Sequence, residues 1–354
     1  MPVLRRQPRH LLRDRIARGA RGQGLSPAWR AWIAENLLLL VPRKTILETL
    51  VAKGIARPLA ELEIDAAARS PVLAGAQHVA NRARRYALVA RLERETAKLA
   101  SRPHAIERRS HLSRDEFFER YYATGVPVVL TDTFEIWPAL ARWSPSSLKE
   151  RFGSALLDIT TGRDADPATH THFQEPAVRM RLGDFGDRVL TAGTTNALYL
   201  ISGDFDPQSG PLAPLLADLA PGHPYLGDER DGHGMILWFG PAGTVTPLHH
   251  DTKNVLLCQV FGQKRVILFP RYELPLTGAL PNSLYAPIDL RSREPFPELS
   301  HALRKEVTLS PGEALFIPVG CFHQVHALDV SISLGFSSFR AQNRFDWYQP
   351  GTIR

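Results

Sequence analysis

The chain has 354 residues, 44% of them hydrophobic and 22% charged, more than one typical domain needs and apolar enough for a large core. Its formal net charge of +7 raises nucleic-acid binding, but lysine and arginine are scattered, thickening only over residues 5–21, 82–94 and 108–114, and no basic stripe results. No apolar run approaches the ~20 residues of a membrane span, no apolar h-region follows the basic N-terminus, and the two cysteines, Cys258 and Cys321, make no disulfide framework, so a cytoplasmic protein with no membrane partner is expected.

Residues 1–24 read as a flexible basic tail, although the arginine-rich, acid-poor stretch 5–21 also has the composition of a transit peptide. Residues 25–104 read as a helical domain. Ser26 before Pro27 is an N-cap followed by proline at the first helical position, and Trp29, Trp32, Ile33, Leu37 and Leu40 recur near helical spacing. A second helix after Pro42 carries Ile46, Leu47, Leu50 and Val51 on one face and ends at Gly54. Leu59, Leu62 and Ile64 mark a third, closed before Pro71. A longer helix is expected over 76–100, where the stripe Leu88, Leu92 and Leu99 predicts a core or dimer contact. The domain is expected to form a homodimer or to dock substrate.

Pro103 marks a boundary. Ser113-Arg114-Asp115-Glu116 is a capping box, opening a helix through Phe117, Phe118 and Tyr121. From Gly125 the periodicity changes. Short strands are expected at 126–131, 156–160, 196–201, 235–239, 245–251, 255–261, 265–269, 307–309, 314–317, 324–328 and 331–336, punctuated by glycine and proline. Such a pattern over 105–354 predicts a mainly β barrel or jelly roll. Phe261-Gly262-Gln263 reads as a hairpin turn that makes its two flanking strands antiparallel partners.

The segment Thr246-Pro247-Leu248-His249-His250-Asp251 carries the chemistry. Side chains two apart in a strand share a face, with Cα atoms ~6.6 Å apart at a rise of ~3.3 Å per residue. His249 and Asp251 can therefore chelate one ion while His250 points away. The third ligand is His323 or His326, both near the start of a strand that follows the run Pro311 to Pro318. Two histidines and one carboxylate with open positions are the facial triad of non-heme Fe(II) oxygenases; zinc also takes such a set. Lys264 opens the strand after the turn. Facing into a barrel it needs an anion, because an unpaired buried ammonium is costly; facing out, it is a surface charge.

Three motifs, Thr246 to Asp251, Gln259-Val-Phe-Gly-Gln-Lys-Arg265, and Pro311-Gly-Glu-Ala-Leu-Phe-Ile-Pro318 with His323, resemble the JmjC or cupin-like 2-oxoglutarate oxygenases. The resemblance is to the branch that contains the asparaginyl hydroxylase of hypoxia-inducible factor and the bacterial cupin-like members. It runs from about Leu112 to the C-terminus and includes Gly125-Val-Pro-Val-Val-Leu130 and Trp137-Pro138. It implies a double-stranded β-helix with an N-terminal α-helical region. It implies Fe(II) on His249, Asp251 and His323, and 2-oxoglutarate whose distal carboxylate meets Lys264, Thr246 and Tyr199. In the family an asparagine often follows the aspartate by four residues; here Val255 stands there and Asn254 precedes it, so Asn254 is taken as a further cosubstrate contact. A second family asparagine, on the last strand, corresponds to Gly335. The resemblance implies hydroxylation of a protein or peptide side chain. Demethylation of N-methyl-lysine, an oxygenase acting on a small molecule or amino-acid-derived metabolite, and a non-catalytic metal-binding cupin are the competing readings.

Overall fold

The computed structural model describes residues 24–132, 134–165, 177–220, 222–227, 233–276, 284–286, 288–290 and 299–345. The basic tail expected over 1–24 lies outside them except for Gly24. Two compact units divide between Val89 and Ala90.

The first unit is helical, as its periodicity requires. Helix α1 spans Pro27–Leu38, α2 Arg43–Ala52 and α3 Arg57–Arg69. Ser26 caps α1 by accepting from the Trp29 amide. The apolar faces close on one small core of Trp32, Ile33, Val41, Ile46, Leu50, Ala60 and Ile64. Glu63 ties the entry of α1 to α3, accepting from the Leu25 amide at 3.1 Å and from Arg30 at 3.0 and 2.8 Å. Helix α4, Pro71–Ala97, starts five residues earlier than expected, because Pro71 serves as an N-terminal helical residue rather than a stop. None of its side chains is buried. Leu88 and Leu92 are 57% and 58% exposed, so the leucine stripe belongs to no core among the described residues.

The second unit is built on two sheets. Strand β1 (Glu107–Arg109) is followed by α5 (Arg114–Glu116), continued as a π-helical turn over Phe117–Tyr122. Ser113 Oγ accepts from the Glu116 amide at 3.2 Å, as the capping box requires. Next come β2 (Val128–Leu130), α6 (Ala139–Arg142), α7 (Pro145–Phe152), β3 (Leu156–Thr161), β4 (Ala177–Arg181), α8 (Leu182–Thr191) and β5 (Leu198–Ser202). The remaining strands are β6 (Met235–Gly240), β7 (Val245–His249), β8 (Val255–Phe261), β9 (Lys264–Phe269), β10 (Lys305–Leu309), β11 (Ala314–Ile317), β12 (Phe322–Ala327) and β13 (Ser331–Phe336). The larger sheet has the order β1-β2-β11-β8-β13-β6-β5-β3-β4 and the smaller β10-β9-β12-β7.

Between the sheets lies an apolar layer. Val129, Leu257, Leu315 and Ile317 from the larger sheet meet Val266, Leu268, Val307 and Val325 from the smaller. The outer face of the larger sheet buries Phe117, Phe134, Trp143, Leu148 and Phe185. Here Asp218, fully buried, holds Trp143 Nε1 at 2.8 Å, Arg142 at 3.0 Å and Arg151 at 2.7 Å. A jelly roll with an N-terminal helical region is thus the observed class.

The hairpin expectation is corrected. Strand β8 pairs with β11 and β13, whereas β9 pairs with β10 and β12, so Gly262 turns the backbone from one sheet into the other. Its φ of 67° permits the corner, and a Cβ there would collide with the Val330 carbonyl. A short turn between two apolar runs looks the same in sequence whether the strands pair or part.

Candidate metal centre and pocket

Strand β7 ends at His249, two residues earlier than expected, and Asp251 sits on the turn beyond it. The shared strand face that the HxD spacing suggested is therefore not what brings these two together. His323, near the start of a strand as expected, is the second residue of β12, directly across the ladder from His249. Cross-strand neighbours are the closest pairs a sheet offers, and the two imidazole centroids are 4.2 Å apart. The turn after β7 then folds the Asp251 carboxylate back to both rings. Its Oδ1 is 3.9 Å from His249 Nε2 and its Oδ2 is 3.7 Å from His323 Nε2. One donor atom from each residue lies within 4.8 Å of the others.

Both rings are oriented alike. His249 Nδ1 faces the Pro247 carbonyl at 2.7 Å, and His323 Nδ1 faces the Cys321 carbonyl at 3.1 Å. A carbonyl can only accept, so each Nδ1 carries the proton and each Nε2 offers its lone pair to the common centre. Burial, then the neighbouring His249, hold the His323 imidazole down to about 4, so it stays neutral near pH 7. Two imidazoles that present Nε2 and one carboxylate form a donor set that fits a divalent iron or zinc ion. Next to His249, Leu284–Ala286 runs as an added edge. His250 donates its amide to the Leu284 carbonyl at 3.1 Å, and Ala286 donates to Leu248 at 2.9 Å. This seats the Tyr285 ring on His249 at 5.5 Å and 25°. Burial, then Asp251, raise the Tyr285 phenol, which keeps it protonated. Nothing in the sequence flags Tyr285, which sits in an irregular stretch.

His326 stands three residues beyond His323, on the opposite face of β12, where its Nε2 meets the Gln324 amide at 2.8 Å. It takes no part in the donor cluster. His250 is buried against Phe322, with ring centroids 4.8 Å apart, away from the donors.

The donors open on a pocket lined by Tyr199, Thr246, Lys264, Trp238, Val255 and Gly335, among others. Lys264 is 1% exposed, so it is no surface charge. Its Nζ donates to Tyr199 Oη at 3.3 Å and lies 5.7 Å from that ring's centroid. Among the described residues no carboxylate lies within 4.0 Å of it. Arg163, also buried, stands over the same Tyr199 ring at 5.3 Å and donates to the Val245 carbonyl at 2.8 Å. Thr246 and Tyr199 thus line the same pocket as Lys264.

Asn254 does not. Its Nδ2 donates to Asn343 Oδ1 at 2.9 Å and its Oδ1 accepts from the Val319 amide at 2.9 Å. Asn343 in turn donates to the Asn254 and Ser337 carbonyls at 2.9 and 2.7 Å. Both ends of the Asn254 amide are committed to fastening these loops, and it lines no part of the pocket. A shift of one residue along the sequence is enough to take it to the other side of the barrel wall.

Residues 114–339 match the family model described as a cupin-like domain, and the protein belongs to that family. It is 29% identical over 231 residues to Lysine-specific demethylase 8 of Xenopus tropicalis, covering 63% of this chain and 50% of that protein. It is 31% identical over 245 residues to Lysine-specific demethylase JMJ30 of Arabidopsis thaliana, covering 65% and 54%. A third relative is the human Bifunctional peptidase and (3S)-lysyl hydroxylase JMJD7, 26% identical over 256 residues, covering 62% and 79%. The match spans about half the length of the first two relatives.

Proposed function

We propose that this protein is an Fe(II)- and 2-oxoglutarate-dependent oxygenase that hydroxylates a side chain of a protein or peptide. The observation that carries the reading is a buried ammonium, Lys264, sharing one pocket with the three-donor cluster. A dicarboxylate with an oxo acid at one end answers both ends of that pocket. His249, Asp251 and His323 are the residues that would hold the iron. Lys264, with Tyr199 and Thr246 beside it, would hold the distal carboxylate. Iron and 2-oxoglutarate together supply dioxygen-driven oxidation of a C–H bond, with the 2-oxo acid released as succinate and CO2.

The protein's own part is positioning and exclusion of water. The Nδ1 contacts to the Pro247 and Cys321 carbonyls fix which nitrogen each histidine presents. The apolar walls Leu257, Ile317 and Val325 keep solvent from the Lys264 pole, where low dielectric strengthens an ion pair. No side-chain acid or base is required, since the pocket's histidines are placed as ligands.

Relatives named as lysine demethylases and as a lysyl hydroxylase favour a protein substrate, and both reactions begin by oxidising a C–H bond of the target residue. The test is mass spectrometry of candidate peptides, looking for gain of one oxygen atom that depends on both Fe(II) and 2-oxoglutarate. Loss of a methyl group as formaldehyde would instead assign demethylation. Absence of any 2-oxoglutarate turnover by the iron-loaded protein would leave a metal-binding cupin. The helical segment 25–104 is read as a homodimerisation or docking module. It is supported by the exposure of Val79, Tyr86, Leu88, Val89 and Leu92 on α4. Light scattering of the whole protein tests this, and a monomeric mass would remove the dimer. No helix among the described residues is long and apolar enough to cross a membrane. Two buried free thiols suit a reducing compartment such as the cytoplasm.

A further inference from the structure

Gly335 is the penultimate residue of β13, an interior strand of the larger sheet, where glycine is disfavoured because it packs nothing. Its surroundings explain it. A Cβ built on Gly335 would overlap Cζ3 and Cη2 of Trp238, with Cε3 at 3.7 Å. Trp238 belongs to the adjacent strand β6, opposite Ser333 and diagonal to Gly335. The tryptophan ring therefore lies across the pair Ser333 and Gly335, in the space a side chain at position 335 would fill. Its strand neighbours Leu237 and Phe239 point the other way, fully buried in the outer core. Trp238 and Gly335 both line the pocket that holds Lys264 and the donor cluster. Trp238 is only partly buried, although it packs against the apolar layer between the sheets.

We propose that Trp238 is the specificity-determining wall of this pocket, and that Gly335 is the notch that lets its ring in. This rests on the reading of the pocket as a dicarboxylate site. The wall limits the girth of the bound 2-oxo acid and leaves Lys264 to select its far end. A substituted cosubstrate meets the indole, which cannot retreat because Ser333 and the β13 backbone lie behind it. A side chain at 335 takes the space the ring now fills, so the ring must shift, and the pocket that both residues line is where it can go.

The experiment measures binding in Mn(II)-loaded protein by calorimetry, so that no turnover is needed. The probes are 2-oxoglutarate and analogues carrying a methyl, isopropyl or benzyl group at C3 or C4. Wild type is expected to lose affinity as the substituent grows. Trp238→Ala is expected to bind at least one benzyl analogue ten-fold or more tighter than wild type does, while its affinity for 2-oxoglutarate changes less than that. Gly335→Ala is expected to weaken 2-oxoglutarate at least ten-fold, and Trp238→Ala combined with Gly335→Ala to recover most of that loss. An unchanged size ranking in Trp238→Ala overturns the proposal, and it does so even if Gly335→Ala fails to fold. Strictly additive effects in the double variant overturn it too. Wild type that binds 2-oxoglutarate but shows these results refutes only the wall; wild type that binds none refutes the dicarboxylate site and the wall with it.

Discussion

Replacing Lys264 by methionine should stabilise the unliganded protein and weaken its response to 2-oxoglutarate. Without an anion the wild-type ammonium is 1% exposed with one hydroxyl partner at 3.3 Å, a poor exchange for its lost hydration. Methionine has a similar length and no charge, so removing the buried polar group should stabilise the unliganded protein by at least ~1 kcal/mol, up to ~3. For a domain of this order that is a rise of about 2–4 °C in Tm per kcal/mol. With 2-oxoglutarate present that advantage shrinks. Truncating one partner of a buried charge pair costs on the order of 2–5 kcal/mol, a loss of roughly 30-fold to several thousand-fold in affinity. Wild type at 100 times its Kd gains about 2.7 kcal/mol from mass action, and the variant gains at most about 0.9 kcal/mol at that concentration. Thermal melts of the Mn(II)-loaded proteins should therefore draw together: Lys264→Met melts higher alone, and 2-oxoglutarate stabilises wild type by about 2 kcal/mol or more beyond what it gives the variant. Lys264→Arg should recover only part of the binding, because a planar fork replaces a compact charge. Equal 2-oxoglutarate affinity in wild type and Lys264→Met, with parallel melts, would refute the reasoning.

Asp251→Ala should abolish stoichiometric binding of one divalent ion per protein molecule, measured by equilibrium dialysis, whereas His250→Ala should keep it because His250 packs on Phe322 away from the donors. Burial, then Arg340, hold the His223 imidazole down to about 4, and its Nδ1 accepts the Tyr225 amide at 3.2 Å. The unfolded state takes up that proton near pH 6.5 and the folded state does not, so stability should be full above pH 6.5 and fall by up to about 1.4 kcal/mol per unit as pH drops toward 4. His223→Gln should flatten that slope in urea titrations. Asp218→Ala leaves Arg142, Arg151 and Trp143 Nε1 without their shared acceptor; the two guanidiniums reach solvent, so the cost is chiefly the buried indole N–H and should be about 1–3 kcal/mol of unfolding free energy by the same measurement.

The parts of the fold and site that are legible in the sequence are those fixed by local pattern. The Ser26 cap and the Ser113 capping box follow from residue type and spacing because helix-end amides must be met nearby, and most strands follow from their runs of β-branched and apolar residues between glycine and proline. The cluster His249, Asp251 and His323 is legible too, but partly for a wrong reason. The HxD spacing suggests one strand face, whereas the backbone leaves the strand at His249 and a turn returns Asp251. What joins the two histidines is the pairing of β7 with β12, strands far apart in sequence, a long-range fact that no local period contains. The same limit explains the hairpin error at Gly262 and the misplacement of Asn254. Strand partners and barrel walls are decided by the far side of the sheet, and one residue of slip exchanges inside for outside. Gly335 shows the limit most sharply. In sequence it is a residue missing from a family pattern. Only when β6 lies beside β13 does the absence acquire a cause, since the Trp238 ring occupies the space. A departure from a motif in a barrel is therefore to be read together with the residue diagonal to it on the neighbouring strand, because the two share one volume and only one of them can fill it.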